Sequence, residues 1–521
     1  MAGLFLSCTA NKEKEDEVSI QQEDSHTYYT SWASSQYQAE PNNQPVLALE
    51  GTSLRQIVHA SVGGEHIRVK FSNLCGTSNL KINEAHIALT DNLSKIKKES
   101  DTFITFGGKS SCVIAAGSEF YSDYLEFSFD DLDCLTVTIF FDYVPEEITG
   151  HMGARTNSYF MKGNHCSDEV FDTSYKCDRW YVLSAIEVEK SEEVRVLSCF
   201  GDSITDGRGS TTDKQNRWTD ILSERLLTDP SYKDIAVINQ GIGGTCLTTI
   251  GLTRYNRDVL STKGSYYVIV LYGINDIIYL NSSAERVIEG YKSLIKKAHK
   301  NNLVIYGGTI LPFGNCNDYT EEKNKVRLAV NEWILNTGVE DGGFDASIDF
   351  ASVMEDASSP ELMKAEYDCS DGLHPNEKGY YAMGNAVDLD LFSKNYEDLK
   401  KDWPDTSSAR IQNRLDFKFV LQSSIPSGSK VQVYVKGKNM GSKGFRIWLV
   451  DNNTTTLSEQ YKFEGSGPFE INTELTSTGT VNFLYFKGIT YDTAIEDLIL
   501  EECYVIINGE KTEFNVIDDL I

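Results

Sequence analysis

The chain switches twice between hydrophobic rhythms. Over residues 26–190 apolar and polar positions alternate, as in Ile67-Arg68-Val69-Lys70-Phe71 and Leu125-Glu126-Phe127-Ser128-Phe129; Leu135-Thr136-Val137-Thr138-Ile139-Phe140-Phe141 adds a further β-prone run. A period of two puts successive side chains on opposite faces, so each run predicts a strand with one face in a core. Glycine and Asn/Asp clusters part the runs at short intervals, the spacing of a β-sandwich. In the same region Arg155-Thr156-Asn157-Ser158-Tyr159 is a polar stretch. It reads as a surface loop, with a face turned to a partner domain as the alternative.

From Val194 the alternation stops. Val194-Arg195-Val196-Leu197-Ser198-Cys199-Phe200, Ile235-Ala236-Val237-Ile238, Tyr266-Tyr267-Val268-Ile269-Val270-Leu271 and Leu303-Val304-Ile305-Tyr306 are apolar runs, with Phe344-Asp345-Ala346-Ser347-Ile348 a weaker fifth. Strands buried on both faces need such runs. Between them the period turns helical. Trp218, Ile221, Leu222 and Leu226 share a face. Ser282 with Glu285 forms a capping box ahead of Val287, Ile288, Tyr291, Leu294, Ile295 and Ala298. A helix from Glu321 to Leu335 is expected to bury Val326, Ala329, Val330 and Trp333. Strand–helix alternation over residues 194–397 predicts a parallel, doubly wound sheet. Lys400-Lys401-Asp402-Trp403-Pro404-Asp405 reads as a linker, and residues 406–521 return to alternation at Val431, Val433 and Val435, followed by runs at Phe445–Val450 and Asn482–Phe486. The expected fold is multidomain: a central α/β parallel sheet flanked by N-terminal and C-terminal β-sandwich domains.

Four glycine-bearing polar blocks follow predicted strands or close the middle region. They are Gly201-Asp202-Ser203-Ile204-Thr205-Asp206-Gly207, Asn239-Gln240-Gly241-Ile242-Gly243-Gly244, Tyr272-Gly273-Ile274-Asn275-Asp276 and Asp371-Gly372-Leu373-His374-Pro375. Open α/β sheets bind ligands at the carboxyl ends of their strands, so these blocks are expected to meet at one crevice. Taken singly, each has a plainer reading: a turn, a helix cap, a lone histidine. Together they supply what acyl transfer requires. Ser203 is the candidate nucleophile and His374 its base. Asp371, three residues before the histidine, is placed to reach Nδ1 and hold the tautomer. The N–H groups of Ser203 and Gly243, with the side-chain amide of Asn275, are the candidate oxyanion donors. Asp202, Asp206 and Asp276 are read as structural, bonding turn amides. Arg208 and Arg217 are read as partners of nearby carboxylates.

The order Gly-Asp-Ser, Gly-Ile-Gly-Gly, Gly-Ile-Asn-Asp, Asp-Gly-Leu-His-Pro resembles the GDSL, or SGNH, hydrolases. The Ser, Gly, Asn and His that name that superfamily fall here on Ser203, Gly243, Asn275 and His374. The resemblance runs through most of residues 194–395. With Arg217-Trp218 and Asn331-Glu332-Trp333 it extends to a secreted, xylan-esterase-like subgroup. Members of that subgroup carry an N-terminal β-domain, which Leu54-Arg55-Gln56-Ile57-Val58 and Val69-Lys70-Phe71-Ser72-Asn73 resemble. It implies a flavodoxin-like fold and neither metal nor cofactor. Thr245-Cys246 departs from the pattern, where relatives often have Asn and a bulkier residue. The C-terminal region resembles carbohydrate-binding modules only loosely. There Tyr434, Trp448 and Tyr485 are candidates for stacking on sugar rings, against a plainer role as core aromatics.

Charge narrows the partners. Lys plus Arg number 48 against 77 Asp plus Glu, a net −29. Such a surface repels phosphate backbones, so no nucleic-acid partner is expected, and neutral glycans or small esters suit it better than anionic polymers. No apolar run is long enough to span a membrane. Met1-Ala2-Gly3-Leu4-Phe5-Leu6-Ser7-Cys8 resembles the tail of a truncated lipoprotein leader, and residues 1–25 then read as leader and tether with Cys8 a candidate lipid anchor. A flexible end without function is the plainer reading. Of the 11 cysteines, Cys166 and Cys177 are near enough in sequence to staple a loop in an oxidising compartment. No CxxC or HExxH pattern occurs, so no metal site is expected. The expectation is a secreted or lipid-anchored serine esterase acting on an acylated polysaccharide. A lipase or lysophospholipase, and a glycan-binding protein on an inactive scaffold, are the alternatives.

Overall fold

The computed structural model describes residues 18–21, 25–393, 399–401, 403, 416–439, 444–450, 456–488, 498–507 and 510–513. Cys8 lies outside them. The chain divides into two compact units, Met1–Pro404 and Asp405–Ile521.

The first unit joins a β-rich region to a parallel sheet. In the β-rich region, strands Tyr28–Ala33, Leu183–Glu189, Gly64–Asn73 and Leu125–Phe129 form one sheet, with Ser118–Tyr121 added at its side. A larger sheet is built around Thr52–His59, Cys134–Phe141 and Leu80–Asn92. Their alternating apolar residues enter one core that holds Leu54, Val58, Ile67, Val69, Phe71, Ile82, Leu135, Val137 and Ile186. That core does not stop at the edge of the region. It continues through Val194, Val196, Leu227, Ala236 and Ile238 of the following segment. Cys166 and Cys177, candidates for a staple, are both free thiols. Each is buried as an apolar filler, Cys166 with its sulfur 3.6 Å from the Glu84 carbonyl and Cys177 beside the Tyr181 hydroxyl.

Five parallel strands follow: β1 (Arg195–Gly201), β2 (Ile235–Gly241), β3 (Ser265–Leu271), β4 (Val304–Gly308) and β5 (Ala346–Ile348). They are ordered β2-β1-β3-β4-β5, the flavodoxin-like order that puts a crevice where the winding reverses, between β1 and β3. The principal helices are α1 (Trp218–Thr228), α2 (Ala284–Lys300), α3 (Glu321–Asn336) and α4 (Glu377–Ala386). Ser283, one residue later than the sequence suggests, caps α2 by accepting from the Arg286 N–H at 3.4 Å. Helix α3 buries Arg327, Val330, Asn331 and Ile334, while Ala329 is exposed. The expected apolar face there is rotated because Asn331 is drawn inward to bond both the N–H and the carbonyl of Ile310.

Among the described residues the second unit has two four-stranded antiparallel sheets. Val431, Val433 and Val435 meet Phe445, Ile447, Leu449, Leu484 and Phe486 in its core.

Candidate active site

The site is assembled by turns that only glycine permits. At the end of β1, a side chain on Gly201 would lie 2.2 Å from Thr205 Oγ1 and 2.4 Å from the Leu271 carbonyl. At the end of β2, one on Gly241 would lie 2.2 Å from the Asp206 amide. The two bare backbones let the one-turn helix Ser203–Asp206 settle between the strand ends. Asp202 caps it by accepting from the Ile204 N–H at 3.1 Å. Buried Arg254 ties the same strand ends together, donating to the carbonyls of Gly201 and Gln240 at 2.8 and 2.9 Å.

The turn that carries His374 is built around carboxylates. Asp368 Oδ1 accepts from the N–H groups of Ser370, Asp371 and Gly372. Asp371 Oδ1 in turn accepts from those of Leu373 and His374, at 3.0 and 2.9 Å. Its other oxygen accepts from His374 Nδ1 at 2.7 Å. With the proton on Nδ1, the lone pair of Nε2 faces the Ser203 hydroxyl, which donates to it at 2.8 Å. Ser203 is 6 % and His374 7 % exposed, so the Ser203–His374 link is largely shielded from bulk water, while Asp371 at its far end is exposed.

Charge within the site follows from those contacts. Burial alone would raise the Asp371 carboxyl, but bonds from the His374 amide and ring pull it down to about 2. Burial lowers His374 below the ordinary imidazole value; Asp371 opposes that, while the Arg208 and Arg155 cations reinforce it. The shift favours the neutral ring, the form a proton acceptor needs.

Of the candidate oxyanion donors, Gly243 and Asn275 line the same cavity as Ser203. The Gly243 N–H donates to Asp206 Oδ2 at 3.2 Å. Asn275 Nδ2 gives one hydrogen to the Thr245 carbonyl at 2.9 Å, which leaves its second hydrogen for a ligand. Thr245, the departure noted in the sequence, is itself held by the Ile242 carbonyl and the Tyr272 hydroxyl. Asp276 bonds turn amides, accepting from the N–H groups of Leu247 and Thr248. Arg217 is buried, paired with Asp220 at 3.2 Å and donating to the carbonyls of Asp206 and Ala154.

Residues from the β-rich region also reach the site, an outcome that the sequence allowed only as the alternative reading of the Arg155–Tyr159 stretch. The cavity of about 540 Å³ around Ser203 and His374 is walled by Tyr37, Met152 and Arg155 from that region. His151 Nε2 lies 3.0 Å from Asp206 Oδ1 and its Nδ1 2.8 Å from the Ser35 carbonyl. Asp206 is correspondingly held below the ordinary carboxyl value: burial would raise it, and His151, Arg155 and Arg217 outweigh burial. The polar stretch at Arg155 was the available signal. It is turned to the parallel-sheet region, not to open solvent.

Residues 199–382 match the GDSL-like Lipase/Acylhydrolase family. The GDSL-like region thus contains Ser203, Gly243, Asn275, Asp371 and His374 within its bounds. Among solved structures, the chain is similar to one described as a lipolytic protein of the G-D-S-L family from Desulfitobacterium hafniense DCB-2, at 24% identity, covering 37% of this chain and 96% of that one with a TM-score of 0.30. A member of the lipolytic protein G-D-S-L family from Veillonella parvula DSM 2008 is similar at 20% identity, over 39% and 100% of the two chains, TM-score 0.30. An acetyl xylan esterase is similar at 20% identity, over 38% and 98%, TM-score 0.29. No curated protein matches the chain.

The sugar-stacking candidates lie in the second unit. Trp448 and Tyr485 are only 5 % and 6 % exposed and pack edge to face with each other. Neither offers an open ring face. Tyr434 is half-buried and stacks on Tyr504, with its hydroxyl donating to Glu470 at 3.1 Å. The physical reason is the strand pairing that sets Trp448 opposite Tyr485: two large rings on one face bury each other.

Proposed function

We propose that the protein is a serine esterase that removes short acyl groups, acetyl foremost, from a plant polysaccharide such as xylan. The observation that carries this reading is the continuous relay Asp371–His374–Ser203, with links of 2.7 and 2.8 Å, at the floor of an open cavity. His374 Nε2 takes the Ser203 proton as Oγ attacks the ester carbonyl carbon, and the carbonyl electrons move onto oxygen. The Ser203 N–H and Asn275 Nδ2 stabilise that oxyanion, joined by the Gly243 N–H when it turns from Asp206 Oδ2 to the substrate. Collapse expels the alcohol, which takes its proton from His374 and leaves Ser203 acylated. Water, deprotonated by the same nitrogen, then releases the acid and restores the hydroxyl.

The cavity wall supports a short acyl group on a hydroxyl-rich alcohol. Its lining is dominated by Arg155, Arg208, Asn43, Asn317, Asp318 and Asp371, with Met152 and Leu373 among the few apolar members. A long acyl chain calls for a continuous apolar trough instead. The acidic surface, net −29, favours a neutral polymer. Of the three ring candidates in the second unit, Tyr434 is the one not fully buried and so the one assigned to a glycan, and a secreted or Cys8-anchored location accords with a polymeric substrate.

The test is hydrolysis of p-nitrophenyl acetate against the palmitate ester, together with acetate release from acetylated xylan, mannan and pectin, each with wild type and Ser203→Ala. The expected result is fast turnover of the acetate ester and of acetylated xylan, both abolished in the variant. Preference for palmitate would replace this reading with a lipase. Labelling by a fluorophosphonate that leaves Ser203 unmodified would point to an inactive scaffold.

A further inference from the structure

Arg155 has an unusual setting. Its backbone is in the left-handed region, at φ 51°, where a non-glycine residue is strained and persists only when its surroundings enforce it. The surroundings here are explicit. The Arg155 carbonyl accepts from the Asp213 N–H at 2.9 Å, and Asp213 accepts from the Asn157 amide at 2.7 Å. Gln215 donates to Thr156 at 3.0 Å, and the Arg217 guanidinium donates to the Ala154 carbonyl. One loop of the β-rich region is thus laced to the segment that follows Ser203, and the lacing points Arg155 into the cavity shared by Ser203 and His374.

The guanidinium is poorly matched there. Its recorded carboxylate contact is a long one, Nη2 to Asp206 Oδ2 at 3.8 Å, and Nε is buried with no hydrogen-bond acceptor among the described residues. Asp206 already has His151 and the Gly243 N–H. A strained backbone that delivers a cation with unfilled donors to a cavity wall suits a ligand better than a framework. The ligand's charge follows from the same wall. Asp206, Asp318 and Asp371 outnumber Arg155 and Arg208, so an anionic group gains little, whereas neutral oxygens can accept from the guanidinium.

We infer that Arg155 is a specificity-determining residue of the site: its guanidinium donates hydrogen bonds to the hydroxyl and ring oxygens of the saccharide that forms the alcohol half of the ester. The inference rests on the esterase reading and adds the contribution of the β-rich region to it. It predicts that Arg155 acts through binding of the leaving saccharide and has little to do with the acetyl carbonyl.

The experiment compares kcat and KM for wild type, Arg155→Met and Arg155→Lys on p-nitrophenyl acetate, which lacks sugar hydroxyls, and on acetylated xylo-oligosaccharides. Thermal melting checks that each variant is folded. Arg155→Met is expected to lower kcat/KM on the saccharide at least about 10-fold more than on p-nitrophenyl acetate, mainly through KM, the order expected for a lost charge-assisted hydrogen bond. Arg155→Lys should recover part of the loss. Equal losses on both substrates would overturn the inference and make Arg155 a framework residue, with the esterase reading intact. No loss on either would also overturn it. Wild type active on p-nitrophenyl acetate but on no acetylated saccharide would overturn both the saccharide reading and this role, while Ser203→Ala with undiminished p-nitrophenyl acetate activity would remove the esterase reading itself.

Discussion

Asp202, next to the candidate nucleophile, should make the first unit less stable as pH rises. It is 1 % exposed. Burial raises its carboxyl from 3.8 to about 7, with Asp276 and Asp206 adding to the effect and Arg254 and the Ile204 amide opposing it. Below about pH 3 the group is protonated in folded and unfolded chains alike. Between about 4 and 7 the unfolded chain loses the proton first, so the folded state binds more protons and stability falls as pH rises. Above about 8 the loss is complete. At about 1.4 kcal/mol per pH unit the total is ~4 kcal/mol. Replacing Asp202 by Asn keeps an oxygen to accept from Ile204 but cannot ionise. For the unit Met1–Pro404, an unfolding entropy near 2.1 cal/mol/K per residue gives about 0.8 kcal/mol/K, so the variant's advantage should approach ~5 °C. The assay is thermal melting of wild type and Asp202→Asn at pH 4 to 9. The difference between the two should grow across pH 4–7 and then level. A difference that does not change with pH would refute the argument, because a lost contact shifts stability at every pH alike.

Other outcomes follow from the same geometry. Ser203→Ala and His374→Ala should each lower kcat on p-nitrophenyl acetate at least about 10⁴-fold, since the relay works as a unit. Because burial depresses His374, the acid limb of kcat/KM against pH should have its midpoint below 6.5; a midpoint at or above that value would contradict the burial argument. Asn275→Ala should lose roughly 10²–10³-fold in kcat, the effect of one oxyanion donor, and a loss under 10-fold would move that role elsewhere. Gly201→Ala should unfold or melt far lower, its methyl meeting the Leu271 carbonyl at 2.4 Å, whereas Gly243→Ala, with ordinary contacts of 3.4 and 3.7 Å, should melt like wild type.

Much of the parallel sheet was legible in the chain. Its strands coincide with continuous apolar runs, and the blocks after β1, β2 and β3 stand at the strand ends where the winding reverses. The capping residue of α2 was off by one because neighbouring serines, Ser282 and Ser283, offer the same chemistry and only backbone geometry chooses between them. The face of α3 was misjudged because Asn331 was needed inside to satisfy Ile310, a demand set by another strand's end.

What the amino-acid sequence determined by itself is local: the period of each segment, glycines where a turn admits no Cβ, and a carboxylate three residues before a histidine. Distance along the chain limits such signals, because a periodicity or a turn is written over a few neighbours. Tertiary packing decided the rest. It brought His151 against Asp206 and Arg155 into the cavity that holds Ser203, buried Trp448 and Tyr485 against each other, and left Cys166 and Cys177 as free thiols. Those outcomes depend on which surfaces meet when two regions share a core, and on polar groups that must find partners across the seam.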